Sequence, residues 1–145
     1  MRPLLLLLVA ALVSVGCAPR RTLEFMPDPT PPAGPFSRAV RVGDLLFLAG
    51  QIGTDASGRL VPGGIQPETR QTLENIRSEL RRNGLGMERV AKCTVFLADM
   101  SEWGRMNEVY ATFFPGPKPA RSAAGSNGLA LGARVEIECI AAYGS

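Results

Sequence analysis

Histidine is absent from the 145 residues. That excludes Ser-His-Asp and Cys-His nucleophile chemistry and leaves a zinc site only all-cysteine or carboxylate ligands. Cysteine is scarce, at three. With no histidine to lower a thiol's pKa, Cys93 and Cys139 do not read as nucleophiles. Charge of one sign is also scarce: 16 Lys and Arg against 13 Asp and Glu give a net charge of +3. The two signs are interspersed and no basic stripe alternates with aromatics, so nothing marks a nucleic-acid surface. Neither a phosphate-binding glycine loop nor a metal-ligand spacing is present.

A chain of this length with 46% hydrophobic residues reads as one globular domain with a modest core, and oligomerisation stays open. Its first segment lies outside that domain. "MRPLLLLLVAALVSVGC" has one positive charge at Arg2, an apolar run from Leu4 to Val13, and small residues before Cys17. The run is shorter than the about 20 residues of a membrane-spanning helix, so residues 1–16 read as a secretion signal. Ser14, Val15, Gly16 and Cys17 resemble a bacterial lipobox, with Cys17 acylated after cleavage behind Gly16. In a host with an outer membrane, Ala18 in place of an aspartate is expected to send such a lipoprotein to the periplasmic face of that membrane. Residues 17–35 are proline-rich and without periodicity, a tether with polyproline character, and the domain itself is expected over 36–145.

Within the domain, "RAVRVGDLLFLAG" predicts a hairpin turning at Gly43-Asp44. From Pro67, Thr69, Leu73, Ile76 and Leu80 recur at helical spacing among charged residues and predict an amphipathic helix stopped by Asn83 and Gly84. "VAKCTVFLADM" (90 to 100) predicts a strand. Ser101 is expected to cap a second helix whose Trp103, Met106, Tyr110 and Phe113 form a core face. Two strands, near 120 to 126 and 133 to 143, complete an α+β domain: a single sheet with two helices packed on one face. The other face needs a cover, which in so short a chain points to another subunit. Cys93 and Cys139 lie in apolar strand-like runs and read as core thiols, with a disulfide conceivable in an oxidising compartment.

The chemistry gathers on the last two strands. Arg121 sits among small residues in "KPARSAAGS", and "ARVEIECIAAY" puts Glu136 and Glu138 on one face with Val135, Ile137, Cys139 and Ala141 on the other. Two readings are open: a salt bridge between Arg121 and Glu136, or a functional pair.

The segments "GPFSRAVRVGDLLFLAGQIGTD", "ETRQTLENIRSELRRNGLGMERVAKCTVFLADMSEWGRMNEVYATFF", "PARS" and "VEIECIA" resemble, in order, the reactive intermediate (imine) deaminase family, RidA or YjgF. The resemblance implies a chorismate-mutase-like fold, homotrimers whose sheets line a central barrel, and ligand clefts at the subunit interfaces. It implies that Arg121 binds the carboxylate of a 2-imino or enamino acid and that Glu136 positions the attacking water. Phe36, Gly50, Asn107, Ser122 and Ala123 become substrate-binding positions. The products are a 2-oxo acid and ammonia, and no metal or other cofactor is implied. Phe36 stands where many deaminating members carry tyrosine, and Gly125, Ser126, Asn127 and Ala130 depart from the usual apolar, proline-containing stretch. Those departures favour an alternative, a non-catalytic trimeric ligand-binding or protein-protecting module. A ribonuclease, a name attached to some relatives, finds no basic patch here.

Overall fold

The computed structural model describes residues 22–26 and 35–144. The signal and Cys17, and most of the expected tether, lie outside the described residues. Seven strands form one sheet: β1 (Leu23–Met26), β2 (Ala39–Val42), β3 (Leu45–Leu48), β4 (Gln51–Ile52), β5 (Val90–Leu97), β6 (Ala120–Gly125) and β7 (Val135–Ala142). The order is β1-β2-β3-β7-β5-β6, with β4 also on β7. Every pairing is antiparallel except β5 with β6. Helices α1 (Ile65–Arg82) and α2 (Trp103–Thr112) cover one face and pack on each other.

The hairpin forms as its sequence predicts. Gly43 adopts φ 59 at the first central position of a two-residue turn, where only glycine is free of Cβ strain. Helix α1 buries Ile65, Thr69, Thr72, Leu73, Ile76 and Leu80, a stripe at helical period. The buried threonine hydroxyls donate to the carbonyls of Ile65 and Glu68 at 2.7 and 2.8 Å, so their burial leaves no donor unpaired. The helix stops where Gly84 takes φ 73 and the Leu85 amide donates back to Leu80, a Schellman closure.

Three expectations change. Leu23–Met26, inside the expected tether, form a strand, because the edge of β2 offers a ladder for four residues free of proline. Helix α2 is not capped by Ser101: the Asp99 carboxylate accepts the Ser101 amide at 2.8 Å, a 3-10 turn spans Met100–Glu102, and α2 begins at Trp103. Cys93 and Cys139 are not free thiols. They face each other in the β5–β7 register and are joined by a disulfide.

Alternation along the strands gives the sheet two distinct faces. Leu46, Leu48, Cys93, Val95, Leu97, Val135, Ile137, Cys139 and Ala141 are buried beneath the helices. The opposite face has no cover within the chain. There Leu23, Phe25, Leu45 and Phe47 remain exposed, aligned by register with Val42, Val40, Ala142 and Ile140.

Candidate active site

Arg121 lies on β6, an edge strand. Its register partner on β5 is Cys93, whose own partner on β7 is Cys139; all three belong to the helix-covered face. The half-buried guanidinium sits over the Tyr110 ring, 4.6 Å from its centroid, and 5.9 Å from that of Trp103, both within cation–π range. Among the described residues no carboxylate pairs with it. Asn107 lies between Trp103 and Tyr110 on α2, at the spacing that shares a helix face. The Asn107 Oδ1 and the Tyr110 hydroxyl are buried and have no hydrogen-bond partner among the described residues. Burial pushes the Tyr110 phenol up to about 12, with the positive charge of Arg121 pulling the other way, so the hydroxyl keeps its proton at neutral pH. Ala123, two residues on from Arg121, shares its face and packs against the core.

Glu136 lies on β7 with Phe96 as its β5 partner. It alternates with Val135 and Ile137, both fully buried, and therefore belongs to the open face. Its carboxylate rests against Gly50 in the loop between β3 and β4, where any side chain at position 50 would collide with Glu136 Oε1. Asn75 of α1 steadies the end of β4 by donating to the Ile52 and Thr54 carbonyls, each at 3.0 Å. Phe36 is 62% exposed. It stands two residues before Arg38, whose carbonyl accepts the Ala49 amide at 2.9 Å, so the Phe36 and Gly50 segments enter the same end of the β2–β3 hairpin. Arg38 is fixed in turn by Glu79 of α1, at 2.7 and 2.8 Å. Ser122 is on the open face, beside Thr94.

The expected site residues thus fall into two groups within one chain. Arg121 and Ala123 face α2, which carries Asn107, while Glu136, Gly50 and Ser122 share the open face, with Phe36 near its margin. Arg121 and Glu136 do not meet. Strand β5 separates their strands and the sheet separates their faces, which removes the salt bridge between them as a reading within one subunit. Trp103 and Tyr110, read from the sequence as core, also belong to the Arg121 group. Tyr110 is both core and site, whereas Trp103 is 44% exposed. The signal for them was the 103/107/110 spacing, which puts two rings on the same face as Asn107. Among the described residues, no three His, Cys, Asp or Glu side chains cluster where they could hold a metal ion.

Residues 27–143 match the family model described as Endoribonuclease L-PSP. The chain is similar to the mouse 2-iminobutanoate/2-iminopropanoate deaminase, 46% identical over 112 residues, covering 77% of this chain and 83% of the mouse protein. Its fold is similar to that of yeast YEO7, with a TM-score of 0.77 and 36% identity over 85% of this chain and all of the other. It is also similar to Escherichia coli TdcF, solved with bound serine, with a TM-score of 0.74 and 31% identity over 82% and 94% of the two chains.

Proposed function

Because the chain belongs to the Endoribonuclease L-PSP family, that of the RidA and YjgF proteins, we propose that it hydrolyses 2-imino and enamino acids to 2-oxo acids and ammonia. The observation that carries this reading is Arg121: a guanidinium stacked on an aromatic ring, without a carboxylate partner among the described residues. Its planar fork matches a substrate carboxylate with two hydrogen bonds. In support, a mouse relative is named for 2-imino acid deamination and the TdcF crystal holds serine, a small amino acid.

The chemistry needs little more than orientation. An enamine first tautomerises to the imine, whose carbon becomes electrophilic when its nitrogen is protonated. Glu136 accepts a proton from water as the oxygen bonds to that carbon, giving a carbinolamine. The proton passes to nitrogen, the C–N bond breaks, and the hydroxyl loses its proton as the 2-oxo acid forms. Ammonia leaves. Holding carboxylate and water at fixed positions supplies the rate enhancement through proximity.

For Arg121 and Glu136 to act on one substrate, two subunits must contribute to one cleft. A homotrimer closing its open sheet faces into a barrel would set the Glu136 group of one subunit beside the Arg121 group of its neighbour. The exposed Leu23, Phe25, Leu45 and Phe47 give that face an apolar surface to bury. The same reading takes residues 1–16 as an export signal and Cys17 as a lipid anchor on the periplasmic face of the outer membrane. It is supported by the apolar run before Gly16-Cys17 and by the Cys93–Cys139 disulfide, a bond at home in oxidising compartments. A Cys17→Ser variant is expected to leave the membrane fraction; unchanged retention sinks the anchor.

The exposed Phe36, without a hydroxyl to hold water, favours a second reading, a trimeric module that binds small carboxylates without turning them over. The two readings separate when the soluble domain is supplied with 2-imino acids made in situ by an amino-acid oxidase. Accelerated release of 2-oxo acid supports the deaminase, and saturable binding without acceleration supports the module.

A further inference from the structure

We infer that Trp103 and Met100 form the side-chain subsite of the Arg121 cleft and select 2-imino acids with branched aliphatic or aromatic side chains over small or acidic ones. The inference rests on the carboxylate role proposed for Arg121. Trp103 is the single tryptophan of the chain. It opens α2, but unlike Met106 and Tyr110 on the same helix it is not buried, and an exposed indole stands beside the guanidinium.

Met100 is likewise exposed, at 46%. Its Cγ lies 3.1 Å from where a Cβ on Gly125 would stand, so the thioether lies over the end of β6. Arg121, Ala123 and Gly125 alternate onto one face of β6, about 13 Å from first to last. The face therefore runs from a cation beside an indole, across a single methyl group, to a glycine covered by a thioether. A carboxylate gripped at Arg121 would lay its substituent along this face, past the half-buried Ala123 methyl, with apolar surface at both ends. Met is a deformable, polarisable contact suited to branched or aromatic groups.

The charges nearby oppose an acidic substituent. Asp99 directly precedes Met100, and Glu102 directly precedes Trp103; Glu102 is paired with Arg134 at 2.9 Å. Arg134 in turn receives Glu68, whose Oε2 accepts its backbone amide at 2.9 Å. Asp99, Glu102 and Glu68 thus share the one cation Arg134, whose charge also acts on Asp99, and the surplus of negative charge beside this segment disfavours a second carboxylate on the substrate.

The test compares imines generated from alanine, leucine, phenylalanine and glutamate, together with binding of the corresponding 2-oxo acids by calorimetry and by Trp103 fluorescence. In the wild type, kcat/KM for the leucine- and phenylalanine-derived imines is expected to exceed that for the alanine-derived imine by about tenfold or more, with the glutamate-derived imine lowest. Trp103→Ala and Met100→Ser should each lower the leucine-to-alanine ratio by about tenfold, and Trp103→Phe should restore most of it. A wild type without preference, or a Trp103→Ala ratio equal to that of the wild type, overturns the subsite. Hydrolysis of every imine without preference leaves the deaminase reading standing and the subsite refuted. Tighter binding of apolar 2-oxo acids, lost in Trp103→Ala but with no turnover in the wild type, supports the subsite and refutes the deaminase.

Discussion

The Arg121 group and the Glu136 group are built by different means. Arg121 sits on an edge strand whose own residues are small, and it is held from above by rings of α2. Glu136 sits on a central strand between fully buried neighbours, and its carboxylate occupies the space that a side chain at Gly50 would fill. The first group depends on aromatic packing and the second on backbone approach. In the proposed function the first orients the ligand and the second the proton acceptor, and the sheet itself keeps them apart in one chain.

The difference is tested first at Glu136, where the largest effect is expected. Glu136→Gln keeps the shape and weakens proton acceptance, so kcat should fall by about 100-fold with ligand binding little changed. A loss confined to KM would move Glu136 into the binding half. Arg121→Ala should lower kcat/KM by about 10- to 100-fold, the range expected for losing a charge-assisted hydrogen bond. Arg121→Lys should recover only part of it, because an ammonium keeps the charge without the fork. Full recovery by lysine would show that charge alone suffices.

A smaller effect is expected at Gly50→Ala. The new methyl must displace the Glu136 carboxylate, so kcat should fall by about tenfold while 2-oxo acid binding to the Arg121 half persists. Equal loss of binding would mean that the halves are not separable. The smallest effect appears only at alkaline pH. Tyr110 has its folded pKa raised from 10 to about 12, so its stabilising contribution is complete below pH 10 and is lost as pH rises toward 12. The loss is roughly 2 to 3 kcal/mol. Denaturant titrations across that window should show the decline in wild type and less of it in Tyr110→Phe; identical slopes would contradict the buried phenol.

Much of this architecture was legible in the chain. Helix α1 announced itself through Leu73, Ile76 and Leu80 with Asn83-Gly84 behind them, and β7 through the strict alternation around Glu136. Strand β6 was a different matter. "ARSAAG" has no apolar alternation to declare which side faces the helices, so the face of Arg121 became visible only through its pairing with Cys93. Strand β1 was hidden because its stability comes from β2 rather than from its own pattern. Trp103 was hidden because an aromatic at helical spacing reads as core until its exposure is known. The disulfide required the β5–β7 register, which two isolated cysteines do not reveal.

The central claim is that the two halves meet across a subunit boundary, and subunit mixing tests it most directly. Arg121→Ala and Glu136→Gln proteins, each nearly inactive alone, are unfolded together, refolded as a one-to-one mixture and assayed for imine hydrolysis, with mixed oligomers confirmed by native mass spectrometry. A cleft that takes Arg121 from one subunit and Glu136 from the next leaves some clefts in mixed trimers intact, so activity should return to about a quarter of the wild-type value. Mixed trimers with no more activity than the two variants alone would contradict the shared cleft.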